Sequence, residues 1–314
     1  GGNSEFFAVG VARGSNTAYV GGSDIGNVIF DYLVANDGLD IDIQIVHSVE
    51  AVPSPNIHTM PTVDYNAQTG TLLHVDHTND ANDATYDSTE FKARYDQDWA
   101  TMTEVEILDG RMKCIVLKDT YKKGISSGGN LDADYDDLYM TYEFEFGDGF
   151  DFVLGGKMFG LSGRPGSTGS HMTGCKSTGT DDGFSIRTMF RPGGLLEGYF
   201  YHEDKPGGCG HQISFLDGAI PFVVRNGTTY LLELRVKMNT PGYRDGIVEI
   251  KINGVLVLRK ADLRLSNNGS HGINHKFMEM WHGGNSQSWA PSQDSPFYAN
   301  NFRIATSPLT YTMP

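Results

Sequence analysis

Alternation of apolar and polar side chains is the strongest signal in the chain. Residues 138–146 read Leu-Tyr-Met-Thr-Tyr-Glu-Phe-Glu-Phe, which puts Leu138, Met140, Tyr142, Phe144 and Phe146 on one face and Glu143 and Glu145 on the other. A period of two predicts a half-buried strand. Residues 230–238 repeat the pattern: Leu232, Leu234, Val236 and Met238 face one way, Glu233, Arg235 and Lys237 the other. Residues 247–258 predict a hairpin turning at Asn253-Gly254, a pair that favours the type I′ turn matched to strand twist. No amphipathic helix longer than three turns stands out. Short strands separated by Gly, Pro and Asn turns predict an all-β protein, a β-sandwich of jelly-roll type. One curved sheet of such a sandwich offers its outer face as a groove, a natural bed for a linear polymer.

Strand signals dominate from about residue 103 onward. Before that, residues 27–52 hold an apolar stretch (Val28 to Val34) and an alternating run, Ile41 to Val46, and residues 74–89 are rich in Asp, Asn, Thr and His and read as a solvated loop. These features divide the chain into an N-terminal extension, 1–95, contributing outer strands, and a jelly-roll domain, 96–314.

Composition narrows the partners. The 314 residues carry a formal net charge of −15. A broad basic surface for nucleic acid is excluded, because phosphate neutralisation needs clustered Lys and Arg. An acidic polymer is not excluded, since net charge governs long-range steering and not the local field inside a cleft. No apolar run is long enough to span a membrane, and the expected state is a monomer. The chain opens Gly1-Gly2 rather than on Met, so the absence of a leader here decides nothing about export. Of three cysteines, Cys175 and Cys209 sit in glycine-rich loops that allow one bridge; three free thiols are the other arrangement.

Three segments carry candidate chemistry. In Phe150-Asp-Phe-Val-Leu-Gly-Gly-Lys157, a strand-like run reaches paired glycines that let the backbone approach a ligand, and Lys157 follows. The plain alternative is a surface lysine beside a turn. In Phe184-Ser185-Ile186-Arg187, Ser185 and Arg187 share a face, as do Tyr199 and Tyr201 in Tyr199-Phe200-Tyr201. A hairpin with a three- or five-residue loop, or a bulge, would bring all four onto one face; a four-residue loop would separate them. The plain alternative is an ordinary polar outer face.

These residues resemble polysaccharide lyase family 14, the alginate and glucuronan lyases, over roughly residues 104–305. Phe150 to Leu161 is similar to the family's Gly-Gly-Lys-Leu-Pro-Gly-Leu stretch, with Met158 and Phe159 in place of Leu and Pro and Leu154 in place of a frequent Lys. Ser-x-Arg followed by Tyr-x-Tyr, Asn239-Thr-Pro-Gly242, Asp245-Gly246, and the tail from Trp281-His-Gly-Gly284 through Trp289-Ala-Pro291 to Asn301-Phe302 also match, in order. The resemblance implies a jelly roll of two antiparallel sheets. It also implies β-elimination on a polyuronate, most readily alginate, with Lys157, Ser185, Arg187, Tyr199 and Tyr201 in the catalytic positions. Arg187 would also bind the substrate carboxylate, and Arg164 a second uronate. No cofactor and no metal is expected. A secreted protein, or one carried on a virion, is the expected setting.

Asn130 to Asp137 resembles the start of a calcium loop but lacks its glycine and distal glutamate, and reads as a solvated acidic loop. His271, His275 and His282 lack zinc spacing and read as surface histidines. Trp281 is either a sugar-stacking platform or an apolar core residue. Two other functions share the fold: a non-catalytic carbohydrate-binding sandwich, and a virion or adhesion component.

Overall fold

The computed structural model describes residues 11–13, 16–18, 58–166, 173–175 and 183–314. The backbone divides into two compact units, Gly1–Ser54 and Pro55–Pro314. In the first, β1 (Val11–Arg13) pairs antiparallel with β2 (Asn16–Ala18). The apolar and alternating runs at 27–52 lie outside the described residues.

The second unit is the jelly-roll sandwich of two antiparallel sheets that the alternation predicts. Its first half holds β3 (Thr71–Val75), α1 (Ser88–Tyr95), β4 (Trp99–Met102), β5 (Val105–Leu108), β6 (Arg111–Val116), β7 (Gly124–Tyr135), β8 (Asp137–Phe146) and β9 (Gly156–Gly163). Then come β10 (Phe184–Phe190), β11 (Leu196–Tyr201), β12 (His211–Ser214) and a small hairpin of β13 (Leu216–Asp217) and β14 (Ile220–Pro221). The remainder is β15 (Thr228–Lys237), β16 (Gly246–Ile252), β17 (Val255–Leu263), β18 (Ile273–His282) and β19 (Ser295–Ala305). One sheet runs β12-β11-β10-β9-β18-β7-β4 and the other β17-β16-β15-β8-β19-β6-β5, with β3 paired to the C-terminal half of β19.

The core lies between these sheets. Leu138, Met140, Tyr142, Phe144 and Phe146 of β8 are all buried in it, and Glu143 and Glu145 are half-buried on the other side. Phe144 stacks on Tyr230 of the neighbouring strand β15 at 5.5 Å, and Phe146 meets Phe190 of the opposite sheet edge-on at 5.4 Å, so the aromatic packing runs along one sheet and across to the other. Each such side chain stabilises the fold by about 1.5–3 kcal/mol through burial. The β16–β17 hairpin closes at Asn253-Gly254 with Ile252 opposite Val255, and both turn residues have the positive φ (50° and 82°) of a type I′ turn.

Several sequence expectations are revised. Residues 58–95, grouped with the extension, supply a strand and a helix to the sandwich: β3 joins β19, and α1 buries Phe91 and Tyr95 in the core. The 74–89 segment is a loop only between the end of β3 and the start of α1, and His77 within it is buried. Asn130 to Tyr135 is the end of β7 and not a loop. Residues 150–155 are not a strand; Phe150 and Phe152 reach the core from turns, and the strand begins at Gly156. His271, His275 and His282 are buried rather than superficial, each with a ring nitrogen at hydrogen-bond distance from a partner inside the protein; His282 Nε2, for example, lies 2.6 Å from the Asp151 carbonyl oxygen.

Candidate active site

Adjacent strands of the β12-to-β4 sheet assemble the site. β10 and β11 are joined by residues 191–195, a five-residue connection. Its odd length sets Ser185 opposite Tyr201 and Arg187 opposite Tyr199, the register that gathers all four on one face. On the other side of β10, β9 places Ser162 opposite Ser185, Gly160 opposite Arg187 and Lys157 opposite Met189. β18 continues outward with His275 opposite Ser162, Phe277 opposite Gly160 and Trp281 opposite Lys157.

Directly paired residues point to the same side of a sheet, so three rows cross this outer face. The first is His275–Ser162–Ser185–Tyr201, the second Phe277–Gly160–Arg187–Tyr199, the third Trp281–Lys157–Met189–Glu197. The second row extends through Gly128 to Trp99 on β4.

A bulge in β9 aims the lysine. Between the pairs Gly160–Arg187 and Lys157–Met189, β9 has two residues, Met158 and Phe159, where β10 has only Thr188. Both turn into the core, leaving Lys157 and Gly160 on the outer face. Two of the departures from the family stretch, Met158 and Phe159, thus alter packing beneath the site and not the lysine. Gly160 is required as glycine, because a Cβ there would stand 2.7 Å from Arg187 Cγ.

All five predicted residues are brought together, and all five are buried; Lys157 is only 8% exposed, which rules against the surface-lysine alternative. Its Nζ lies 2.9 Å from Met189 Sδ and 3.8 Å from the centre of the Tyr199 ring. Burial, then the positive charge of Arg187, hold the Lys157 amine well below the ordinary lysine pKa, with Glu279 opposing. Arg187 donates from Nη1 to Glu279 Oε2 at 2.8 Å, and its guanidinium carbon lies 5.4 Å from the Phe277 ring. The Arg187 Nε–H and the Trp281 indole N–H are both buried without an acceptor.

The tyrosines meet edge to face at 5.6 Å. Burial first, then a hydrogen bond with Tyr199, push the Tyr201 hydroxyl up to about 12. Its Oη accepts the backbone N–H of Cys175 at 2.9 Å. Ser185 is fully buried beside Ser162, whose Oγ lies 3.0 Å from His275 Nδ1. Arg164 is not brought to this cluster: its Nη2 donates to Asn130 on β7, near the His275 end of the first row. Cys175 and Cys209 form a disulfide, and Cys114 is a buried free thiol.

Glu279, Met189, Phe277 and His275 were not expected at the site. The alternation Phe277-Met278-Glu279-Met280-Trp281 is a legible signal for some of them. Met278 and Met280 enter the core, so the other three face outward. Trp281 is accordingly half-buried on the outer face rather than a core residue.

The family model described as Polysaccharide lyase 14 matches residues 118–302. The chain belongs to polysaccharide lyase family 14. All five predicted residues fall within the matched span. Alginate lyase Aly36B is 26% identical in sequence with a TM-score of 0.66, over 76% of this chain and 98% of that one. A variant of it with a lysine and a tyrosine replaced by alanine, solved with an alginate tetrasaccharide, matches equally. The marine family-14 alginate lyase from Aplysia kurodai shares the fold, at 20% identity and TM-score 0.63, over 76% of this chain and 99% of that one. No curated protein matches the chain.

Proposed function

We propose that this family-14 lyase cleaves a polyuronate, alginate foremost, by β-elimination. The observation that carries the reading is a buried arginine with an unused N–H beside a lysine whose charge is disfavoured. The Arg187 Nε–H binds the uronate carboxylate and offsets the second negative charge that builds as the C5 proton leaves. Lys157, whose burial favours the neutral amine over the charged form, takes that proton. Electrons of the C5–H bond form the C4–C5 double bond, the C4–O bond breaks, and the departing oxygen takes a proton. Tyr201 suits that last task, because a hydroxyl pushed up to about 12 stays protonated near neutral pH. Tyr199, against Lys157, orders the amine, and Ser185 orients the sugar.

The test is incubation with alginate, polymannuronate, polyguluronate and polyglucuronate while recording the absorbance of the new double bond. Absorbance should rise with at least one of them. Sugar binding without any rise would instead favour the non-catalytic sandwich. The Cys175–Cys209 bridge supports an oxidising, extracellular setting.

Trp99 lies at the far end of the Arg187 row and is 44% exposed. It is expected to stack on a sugar remote from the cleaved bond. Trp99→Ala should raise KM for polymer by roughly 2- to 10-fold, the worth of one aromatic contact. Turnover of a trisaccharide should be unchanged. Steady-state kinetics on both substrates checks this, and Trp99→Phe should retain most of the affinity.

A further inference from the structure

The Cys175–Cys209 bridge takes no part in the elimination, yet both of its arms reach Tyr201. On one arm, the Cys175 N–H donates to Tyr201 Oη at 2.9 Å. Cys175 has φ of 61°, in the left-handed region that a non-glycine residue occupies only when its surroundings hold it there. On the other arm, Lys205 is buried with Nζ donating to the carbonyls of Gly207 and Gly208, immediately before Cys209, at 2.8 and 3.1 Å. The same Nζ stands 5.5 Å from the centre of the Tyr201 ring. The bridge joins these arms across 34 residues of sequence. Other polar groups facing the Tyr201 hydroxyl are Tyr199 on its own strand and Arg187 on β10.

We propose that the Cys175–Cys209 bridge is a positioning device for Tyr201, fixing the Cys175 N–H as the donor that stabilises the phenolate left when Tyr201 surrenders its proton. The inference rests on the reading of Tyr201 as proton donor to the departing sugar oxygen. A neutral phenol gains little from one amide donor. The phenolate gains more, because hydrogen bonds to charged acceptors are the stronger ones. The donor therefore acts mainly on the transition state, where the proton is in transfer. A bridge that only stapled a loop would change stability and leave the split between kcat and KM alone.

Two experiments on the full chain test this. In the first, Cys175→Ser/Cys209→Ser is assayed on the polyuronate that the wild type cleaves. We expect kcat to fall at least about tenfold, the worth of one charge-assisted hydrogen bond, with KM within about twofold. In a Tyr201→Phe background, loss of the bridge should leave the residual rate unchanged. An unaltered kcat, or an equal fall in the Tyr201→Phe background, overturns the proposal. Where the double variant does not fold, dithiothreitol on the folded wild type replaces it: the reagent gives two electrons and two protons to the S–S bond, yielding two thiols and its own cyclic disulfide. In the second experiment, the protein carries tyrosine labelled at Cζ with carbon-13, and the Tyr201 resonance is assigned by its absence in Tyr201→Phe. Reduction should move that resonance; no movement overturns the proposal. This readout needs no substrate. A wild type that cleaves no polyuronate would therefore sink the functional reading while the hydrogen-bond claim is still measured.

Discussion

Lys157→Ala is expected to lower the rate of unsaturated-product formation by roughly 10²- to 10⁴-fold, the usual contribution of a positioned acid or base. The fold should survive, because Lys157 makes no ion pair among the described residues and its removal relieves a buried amine. Lys157→Met separates the two roles further, since it keeps the volume and loses the proton chemistry. Its stability relative to the wild type should depend on pH in a defined direction. The folded protein holds the Lys157 pKa well below the ordinary value, so the unfolded chain binds more protons in the window between the two. Wild-type stability therefore climbs as pH rises through that window, and Lys157→Met lacks the climb. The variant's advantage in thermal melts should be largest on the acid side and shrink toward the ordinary lysine pKa of about 10.4. Under the proposed mechanism the same protonation should set the acid limb of the wild-type rate profile, since the base acts as the neutral amine. Near-normal activity in Lys157→Ala would remove the lysine from the mechanism, and a pH-independent stability gap would remove its depressed pKa.

Much of this site was legible because strand alternation is a local property. Ser185 with Arg187, and Tyr199 with Tyr201, share faces by the pleat alone, and the requirement for an odd-length hairpin connection followed from the same geometry. The structure answers with residues 191–195. What was not legible came from partners distant in sequence. Glu279 is 92 residues from the Arg187 it pairs with, and nothing local to either announces the contact. The buried histidines show the same limit. His275 reads as a polar residue near a turn until Ser162, 113 residues earlier, is known to face it. The bulge at Met158-Phe159 was hidden too, since alternation predicts that one of the two side chains faces outward.

The Arg187–Glu279 pair also changes what the site is asked to do. An arginine already neutralised by a carboxylate is a weaker anion trap in net charge, yet a better-oriented one. Glu279 takes Nη1 and leaves the Nε–H free. Under the proposed mechanism, substrate recognition rests on direction as much as on charge, and a planar fork supplies direction where an ammonium does not. Arg187→Lys is accordingly no conservative change.

Arg187→Ala is expected to lower kcat/KM by roughly 10²- to 10³-fold, the loss of one well-placed group stabilising developing negative charge. Two further effects identify the cause. Both partners of the pair are nearly inaccessible to solvent, and breaking a buried pair from one side costs about 3–5 kcal/mol. Arg187→Ala should therefore lower the urea midpoint as well as activity. The second effect concerns Lys157. Arg187 holds the lysine's pKa down and Glu279 pulls it up, so removing the arginine shifts the balance toward the charged amine. The acid limb of the remaining activity should move to higher pH. Glu279→Gln works in reverse: it removes the group that favours the charged amine, and the acid limb should move to lower pH. The double variant Arg187→Gln/Glu279→Gln removes both charges at once, so it should recover much of the stability and none of the activity. Rate profiles and urea melts of the four proteins separate carboxylate binding from lysine tuning. Limbs that move together in the two single variants would mean that the pair does not set the Lys157 proton at all.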